Sequence, residues 1–156
     1  MRYLSASLLL TLCWCLSSGC DLGKTARLEA ENVSLREQLK NSNLRLQAEC
    51  SSAAKAWVAE HLARTSDDMV STHRNHYNAK LNKCFVLANK MSSHGSTPGG
   101  VSTRFVLADV FDNAQPGWLF YSTNHAGTTV NDCYVGETKC NSEEAFKQLV
   151  EPFLSE

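Results

Sequence analysis

His73 and His76 stand three residues apart, a spacing at which two imidazoles can share one divalent metal ion. Asp67, Asp68 and His94 are the further donors such a site would draw on. Two histidines without a defined third ligand make a weak metal signature, and exposed polar positions explain them, so no metal or cofactor is expected. Cys84 and His125 supply the atoms of a thiolate–imidazole nucleophile pair, but neither lies in a recognisable motif. Oxidation of Cys84 would abolish that chemistry, and no CxxC redox motif is present. Asp109 interrupts the apolar stretch 105–111 and Asp112 follows it, a pair that could form an acidic site. A strand's solvent face and a turn account for both. These groups define the alternative function, a small envelope hydrolase, metal-dependent if the histidines act. No catalytic residue is assigned.

Two stretches suit contact with a partner. Arg74, Lys80, Lys83 and Lys90 fall within 72–90 with no acidic residue among them. Arg74, His76, Lys80 and Lys83, beside Tyr77, are the candidate partner-binding set for anionic headgroups, a glycan or an acidic protein face. The plainer explanation is a solvated strand face, or an edge protected by lysine. Trp118, Phe120 and Tyr121 form a second candidate surface, although aromatics beside a hairpin turn are usually core.

The beginning of the chain carries an address. Met1-Arg2 gives a short positive region, residues 4–16 are an uncharged apolar run, and Ser17, Ser18 and Gly19 precede Cys20. Thirteen apolar residues rise about 20 Å as a helix against roughly 30 Å of hydrocarbon, too short for a permanent span. The segment Leu16-Ser17-Ser18-Gly19-Cys20 resembles the lipobox of bacterial lipoproteins, departing from it where Ser17 stands in place of the usual Leu. The resemblance implies cleavage before Cys20, a diacylglycerol thioether on its sulfur and acylation of the new amine, palmitate-type chains that hold the protein at a membrane. Asp21 resembles the signal that retains some lipoproteins in the inner membrane, with the outer membrane as the other destination. An ordinary secretory signal, with Cys20 left as a thiol, is the competing reading.

With Cys13 and Cys15 in the leader and Cys20 acylated, Cys50, Cys84, Cys133 and Cys140 remain. An even number in the oxidising periplasm implies two disulfides, for which four cysteines permit three connectivities. Cys133 and Cys140 flank a two-residue turn at Gly136-Glu137 that places them opposite each other, within disulfide reach. Cys50–Cys84 follows by elimination, the other possibility being that Cys84 stays a buried thiol.

The chain's formal charge is −1. Residues 20–90 hold eleven basic and eight acidic side chains, and residues 91–156 hold three and eight. A mildly basic membrane-proximal half and an acidic distal half argue against a nucleic-acid partner.

The elements that must position these residues are of two kinds. Residues 24–64 lack Pro and Gly and are rich in Ala, Leu, Glu, Gln, Lys and Arg, which predicts a long helix. With Leu28 and Leu35 at heptad d positions, Asn32, Leu39, Leu46 and Ala53 fall at a, while Ser42 and Glu49 spoil the later d positions. A homo-oligomer through 28–46, a helix docked on its own domain, or a bare spacer each fit this short seam. If straight, a forty-residue helix makes a stalk of roughly 60 Å. Trp57, Val58, Leu62 and Met69 then form a stripe suited to docking on a sheet. Beyond the break at Ser66-Asp67-Asp68 the apolar period becomes two. Strands are expected from about Leu81 to Met91, over 103–111 and over 118–123, with a turn at 112–117 and a bridged hairpin at 131–140. Asn141 or Ser142 caps a final helix.

The stretches Asn75-His76-Tyr77-Asn78, Asn82-Lys83-Cys84-Phe85, Asp132-Cys133 and Lys139-Cys140-Asn141-Ser142-Glu143-Glu144 resemble small uncharacterised exported bacterial proteins. That resemblance spans about 70–156 and implies a single exported domain with no site residue to transfer. The expectation is therefore an α+β protein: signal peptide 1–19, lipid anchor and coiled-coil-like stalk 20–52, and an α+β domain 53–156 whose helices cover one face of a small antiparallel sheet. Its expected role is a non-enzymatic binding or assembly module, in one version an inhibitor or immunity-type protein, facing a periplasmic or envelope partner.

Overall fold

The computed structural model describes residues 19–62, 65, 67–93 and 100–155. The leader before Gly19, the side chain of Cys20, and His94 with most of the 92–100 loop lie outside the described residues. The chain divides into two compact units, Met1–Ser42 and Asn43–Glu156.

The described part of the first unit is helical. Helix α1, Gly19–His61, runs from it into the second unit, and every described side chain from Gly23 to Ser42 is exposed. Among the described residues no helix is long and apolar enough to cross a membrane.

In the second unit the last turns of α1 precede six strands and a closing helix. The strands are β1 (Asp68–Asn78), β2 (Lys83–Ser93), β3 (Val101–Asp109), β4 (Ala114–Asn124), β5 (Gly127–Val135) and β6 (Thr138–Lys139), and helix α2 spans Glu143–Leu154. They form one antiparallel meander in which every strand pairs with its sequence neighbour. Short turns make this order possible. Asn82 (φ 52) and Asn113 (φ 51) take the left-handed conformation that asparagine tolerates, and Gly136 (φ 58) turns the β5–β6 hairpin.

The α+β expectation holds, but the helices do not share a face. Phe85 and Leu87 of β2, with Phe105 and Leu107 of β3, pack against Phe146, Val150 and Leu154 of α2. The intervening Val86, Ala88, Val106 and Ala108 pack against Ala54 and Trp57 of α1 and Leu62 just past its end. Successive side chains of a strand point to opposite faces, so β2 and β3 are covered on both and five consecutive β2 residues are buried. The small Ala88 and Ala108 leave room for the Trp57 indole, which is 6% exposed.

Both disulfides form as expected. Cys133 and Cys140 lie 5.0 Å apart between Cα atoms across the β5–β6 hairpin, and Cys140 N donates to Cys133 O at 3.1 Å. Cys50 of α1 and Cys84 of β2, 5.3 Å apart, tie the helix to the sheet, and Tyr77 closes over them. Leu46 also packs in that cluster, and Gln47 Oε1 accepts a hydrogen bond from Tyr77 N at 2.9 Å. Residues that the sequence assigns to the stalk therefore anchor the domain.

Two local expectations, at 68–78 and at 116–117, need correction, and the choice between Asn141 and Ser142 as cap is resolved. Residues 68–78, where no strand is expected before about Leu81, form strand β1, and Met69 in it is exposed rather than docked. Pro116 and Gly117 lie inside β4 at a register shift, and the turn falls earlier, around Asn113. A bulge is where a strand accepts proline. Gly117 is buried, and a Cβ there would meet Leu107 Cβ at 3.0 Å, which explains the glycine. The final helix is capped by Ser142, whose Oγ accepts from Ala145 N at 3.1 Å.

The two bridges close loops of very different length, 34 and 7 residues in sequence separation. Loop-closure entropy then assigns about 4 kcal/mol to Cys50–Cys84 and about 2.5 kcal/mol to Cys133–Cys140. Urea unfolding of the two double Cys→Ala variants checks this: the Cys50/Cys84 pair is expected to lose more stability.

Candidate functional site

The residues singled out for chemistry do not converge. His73 pairs with Ala88 on the face that packs on α1, whereas His76 pairs with Phe85 on the face that packs on α2. The two imidazoles project to opposite sides of β1 and cannot share a metal ion. Among the described residues no group of three His, Cys, Asp or Glu side chains is arranged for a metal. Cys84 is in a disulfide and has no thiolate to offer His125, which is exposed between β4 and β5. Asp109 does not face solvent: it is 1% exposed, accepts from Phe111 N at 3.2 Å and holds Lys83 Nζ at 2.5 Å. Lys83 also meets Asp112 at 2.6 Å. Hydrogen bonds donated to Asp109 and Asp112 raise the Lys83 pKa well above the ordinary ammonium value, and the same ammonium lowers that of Asp112.

The candidate basic set is also dispersed. Arg74 pairs with Glu151 of α2 at 3.1 Å, both side chains more than half exposed. His76 is half-buried, with its Nε2 buried and without a hydrogen-bond partner among the described residues. Lys80, exposed in the β1–β2 turn, lines an open groove of about 670 Å³ with Asn78, Leu81, Glu151 and Phe153. Lys83 is neutralised by its two aspartates. β1 is an edge strand, and its polar side chains fasten it to the helices. Asn78 Nδ2 donates to the carbonyls of Pro152 and Ser155 at 3.1 and 3.2 Å.

What the structure does assemble is a strip on β3, β4 and β5. Tyr121 points to the α2 side and its hydroxyl donates to Glu143 at 2.7 Å. Trp118 and Phe120, of the other parity, lie on the α1 side, where Trp118 packs half-buried at the margin of the α1 cluster. Cross-strand register sets Val106 beside Trp118 and Trp118 beside Tyr134, then Arg104 beside Phe120 and Phe120 beside Asp132. Trp118, Phe120 and Tyr134 are half-buried, while Arg104 and Asp132 are exposed. The Arg104 guanidinium lies 5.1 Å from the Trp118 ring centroid, a cation–π contact that holds the cation over the indole.

At the β2 side the strip meets a polar recess of about 130 Å³ lined by Thr65, Asp68, Lys90, Ser92, Ser102, Arg104 and Phe120. Its base is saturated. Asp68 accepts from Thr65 N at 2.5 Å and from Ser92 Oγ at 2.7 Å, and Lys90 Nζ lies 2.9 Å away. The Thr65 N–H, more than Ser92 and Lys90, lowers the Asp68 pKa far below its ordinary 3.8 despite opposition from burial. The surface therefore combines a flat aromatic floor, an exposed guanidinium and a fixed ion pair. It can bind but offers no activated nucleophile. The sequence had flagged Trp118 and Phe120; Arg104, Asp132 and Tyr134 join them only through strand register.

Comparison with protein-family models, curated proteins and solved structures returns no match at any of the three levels.

The ion pairs set the pH response. A carboxylate whose folded pKa is lowered stabilises the fold above its unfolded pKa, and that stability is lost as pH falls toward the folded value. Lys83, raised, contributes below its ordinary 10.5 and fails only at strong alkali. Urea midpoints are expected to be flat from about pH 5 to 8 and to fall below about pH 4. In Asp68→Asn the neutral midpoint drops and the acid limb becomes shallower.

Proposed function

We propose that this chain is a lipid-anchored lipoprotein of the bacterial envelope whose distal domain is a non-enzymatic binding module for an exported protein partner. The observation that carries the reading is the partly uncovered strip of Trp118, Phe120 and Tyr134 with Arg104 stacked on it. Trp, Tyr and Arg are the residue types that dominate binding energy at protein interfaces, since each offers a large flat surface with a polar tip. A partner presenting an apolar side chain flanked by a carboxylate would meet the aromatic floor and Arg104 together. Neutralising a periplasmic toxin or hydrolase is one form this role takes.

The anchoring half of the reading rests on Cys20 behind its apolar leader, and the two disulfides accord with an oxidising compartment. Asp21 favours the inner membrane with the domain facing the periplasm. The competing hydrolase reading draws no support from the placement of His73, His76, Asp109 and Asp112.

Two experiments address the two halves. Labelling with a fatty-acid analogue is expected to mark the wild-type protein and to fail on Cys20→Ala, which then leaves the membrane fraction. Retained label in that variant contradicts acylation. For the strip, a photoreactive residue at position 120 in native membranes is expected to trap one protein partner, and Trp118→Ala is expected to abolish the adduct. The same probe at exposed Glu137 should stay unlinked. Equal trapping at both positions, or trapping of a glycan alone, refutes the protein-binding strip.

A further inference from the structure

The first unit carries a second surface, independent of the strip. Leu28, Leu35 and Leu39 are 58%, 55% and 63% exposed on a helix whose described neighbours give them no cover. At 100° per residue these three and Asn32 fall within an arc of about 60°. Val33 and Leu44, also exposed, lie off this stripe. Leu46 packs into the cluster of Cys50, Tyr77 and Cys84, so the uncovered seam stops at Leu39.

The charges beside the seam identify its occupant. With Leu28 and Leu35 at d and Asn32 and Leu39 at a, Lys24 and Glu31 are g positions, and Glu29 and Arg36 are e positions. A parallel, in-register pair sets each g residue against the e residue about five places further along the other copy. Lys24 then meets Glu29 and Glu31 meets Arg36, opposite signs at both levels, each occurring twice by symmetry. Gln38 meets Asn43, which is neutral. Asn32 faces the Asn32 of the other copy, where the two amides can hydrogen-bond and fix the register. An antiparallel pair sets Asn32 against Leu35 instead, leaving a buried amide without a matching group. Ser42 and Glu49 at the next d positions end the seam near the boundary between the units.

We infer that a second copy of this chain covers the stripe, forming a short parallel, in-register coiled coil through Leu28, Asn32, Leu35 and Leu39. The dimer doubles the number of distal domains carried at one point, so a partner with two sites gains from effective concentration. Lipidation is not required for the pairing, and its failure would leave this inference standing.

Single cysteines introduced into the full-length chain in its native membrane test the geometry. Under mild oxidation Leu28→Cys, Leu35→Cys and Leu39→Cys are each expected to give disulfide-linked dimers, severalfold above Ala30→Cys and Glu37→Cys on the opposite face. Adding Arg36→Glu to Leu35→Cys lowers the linked fraction, and further adding Glu31→Arg restores it. Equal linking at seam and control positions refutes the seam, as does a lack of dimer at all five. Linking of Leu28→Cys only to co-expressed Leu39→Cys refutes the parallel orientation. Insensitivity to both charge changes removes the electrostatic pairing.

Discussion

The docking of the last turns of α1 onto the β1–β3 face is the contact on which the domain depends. Without it, Val86, Ala88, Val106 and Ala108 would face water and the sheet would have one helix and one bare apolar face. Burying an indole such as Trp57 removes roughly 200 Å² from water, on the order of 5 kcal/mol before entropic costs. That is comparable to the loop-closure contribution of the adjacent Cys50–Cys84 bridge. The two act at different points along the helix: the disulfide fixes Cys50 beside Tyr77, and the indole fills the gap over the alanines two turns later. A helix pinned at both points has a fixed register on the sheet.

That register also decides what is left open. The helix ends at His61, and the same sheet face continues outward through Trp118, which packs at the margin of the α1 cluster, to Phe120 and Tyr134, all three half-buried. The α2 face has no counterpart, because Leu119, Cys133 and Val135 join the α2 core and Tyr121 is tied to Glu143. The polar recess where α1 gives way to β1 is filled by a saturated aspartate. Arg104, resting on Trp118, stays exposed beside it.

Much of the frame was legible in the residues because local chemistry specified it. Gly136 between Cys133 and Cys140 demanded a hairpin, Asn141-Ser142 offered a cap that Ser142 supplies, and the Ala- and Leu-rich 24–64 stretch demanded a helix, which ends at His61. β1 was hidden since an edge strand needs no alternating apolar pattern when Arg74, Asn75 and Asn78 fasten it through polar side chains. The two-sided cover had a signal that alternation obscured: Cys84-Phe85-Val86-Leu87-Ala88 is apolar at both parities, as only a strand buried on both faces requires. The strip was half legible. Parity alone separates Trp118 and Phe120 from Tyr121, but the bulges at Pro116 and near Phe120 set the register that brings in Arg104, Asp132 and Tyr134. Hydrophobic periodicity does not encode such shifts. The histidine pair does not converge, because a spacing of three that brings side chains together on a helix separates them on a strand.

The molecule contains three tryptophans, Trp14, Trp57 under α1 and Trp118 on the strip. Fluorescence quenching by acrylamide in Trp57→Phe and Trp118→Phe variants, each also carrying Trp14→Phe, therefore reads each face separately. If the helix covers only β1 to β3, the variant retaining Trp118 quenches severalfold more steeply than the variant retaining Trp57. Equal, shallow quenching would mean that the β3–β5 face is sealed, and equal, steep quenching that α1 is not docked; either result contradicts the account.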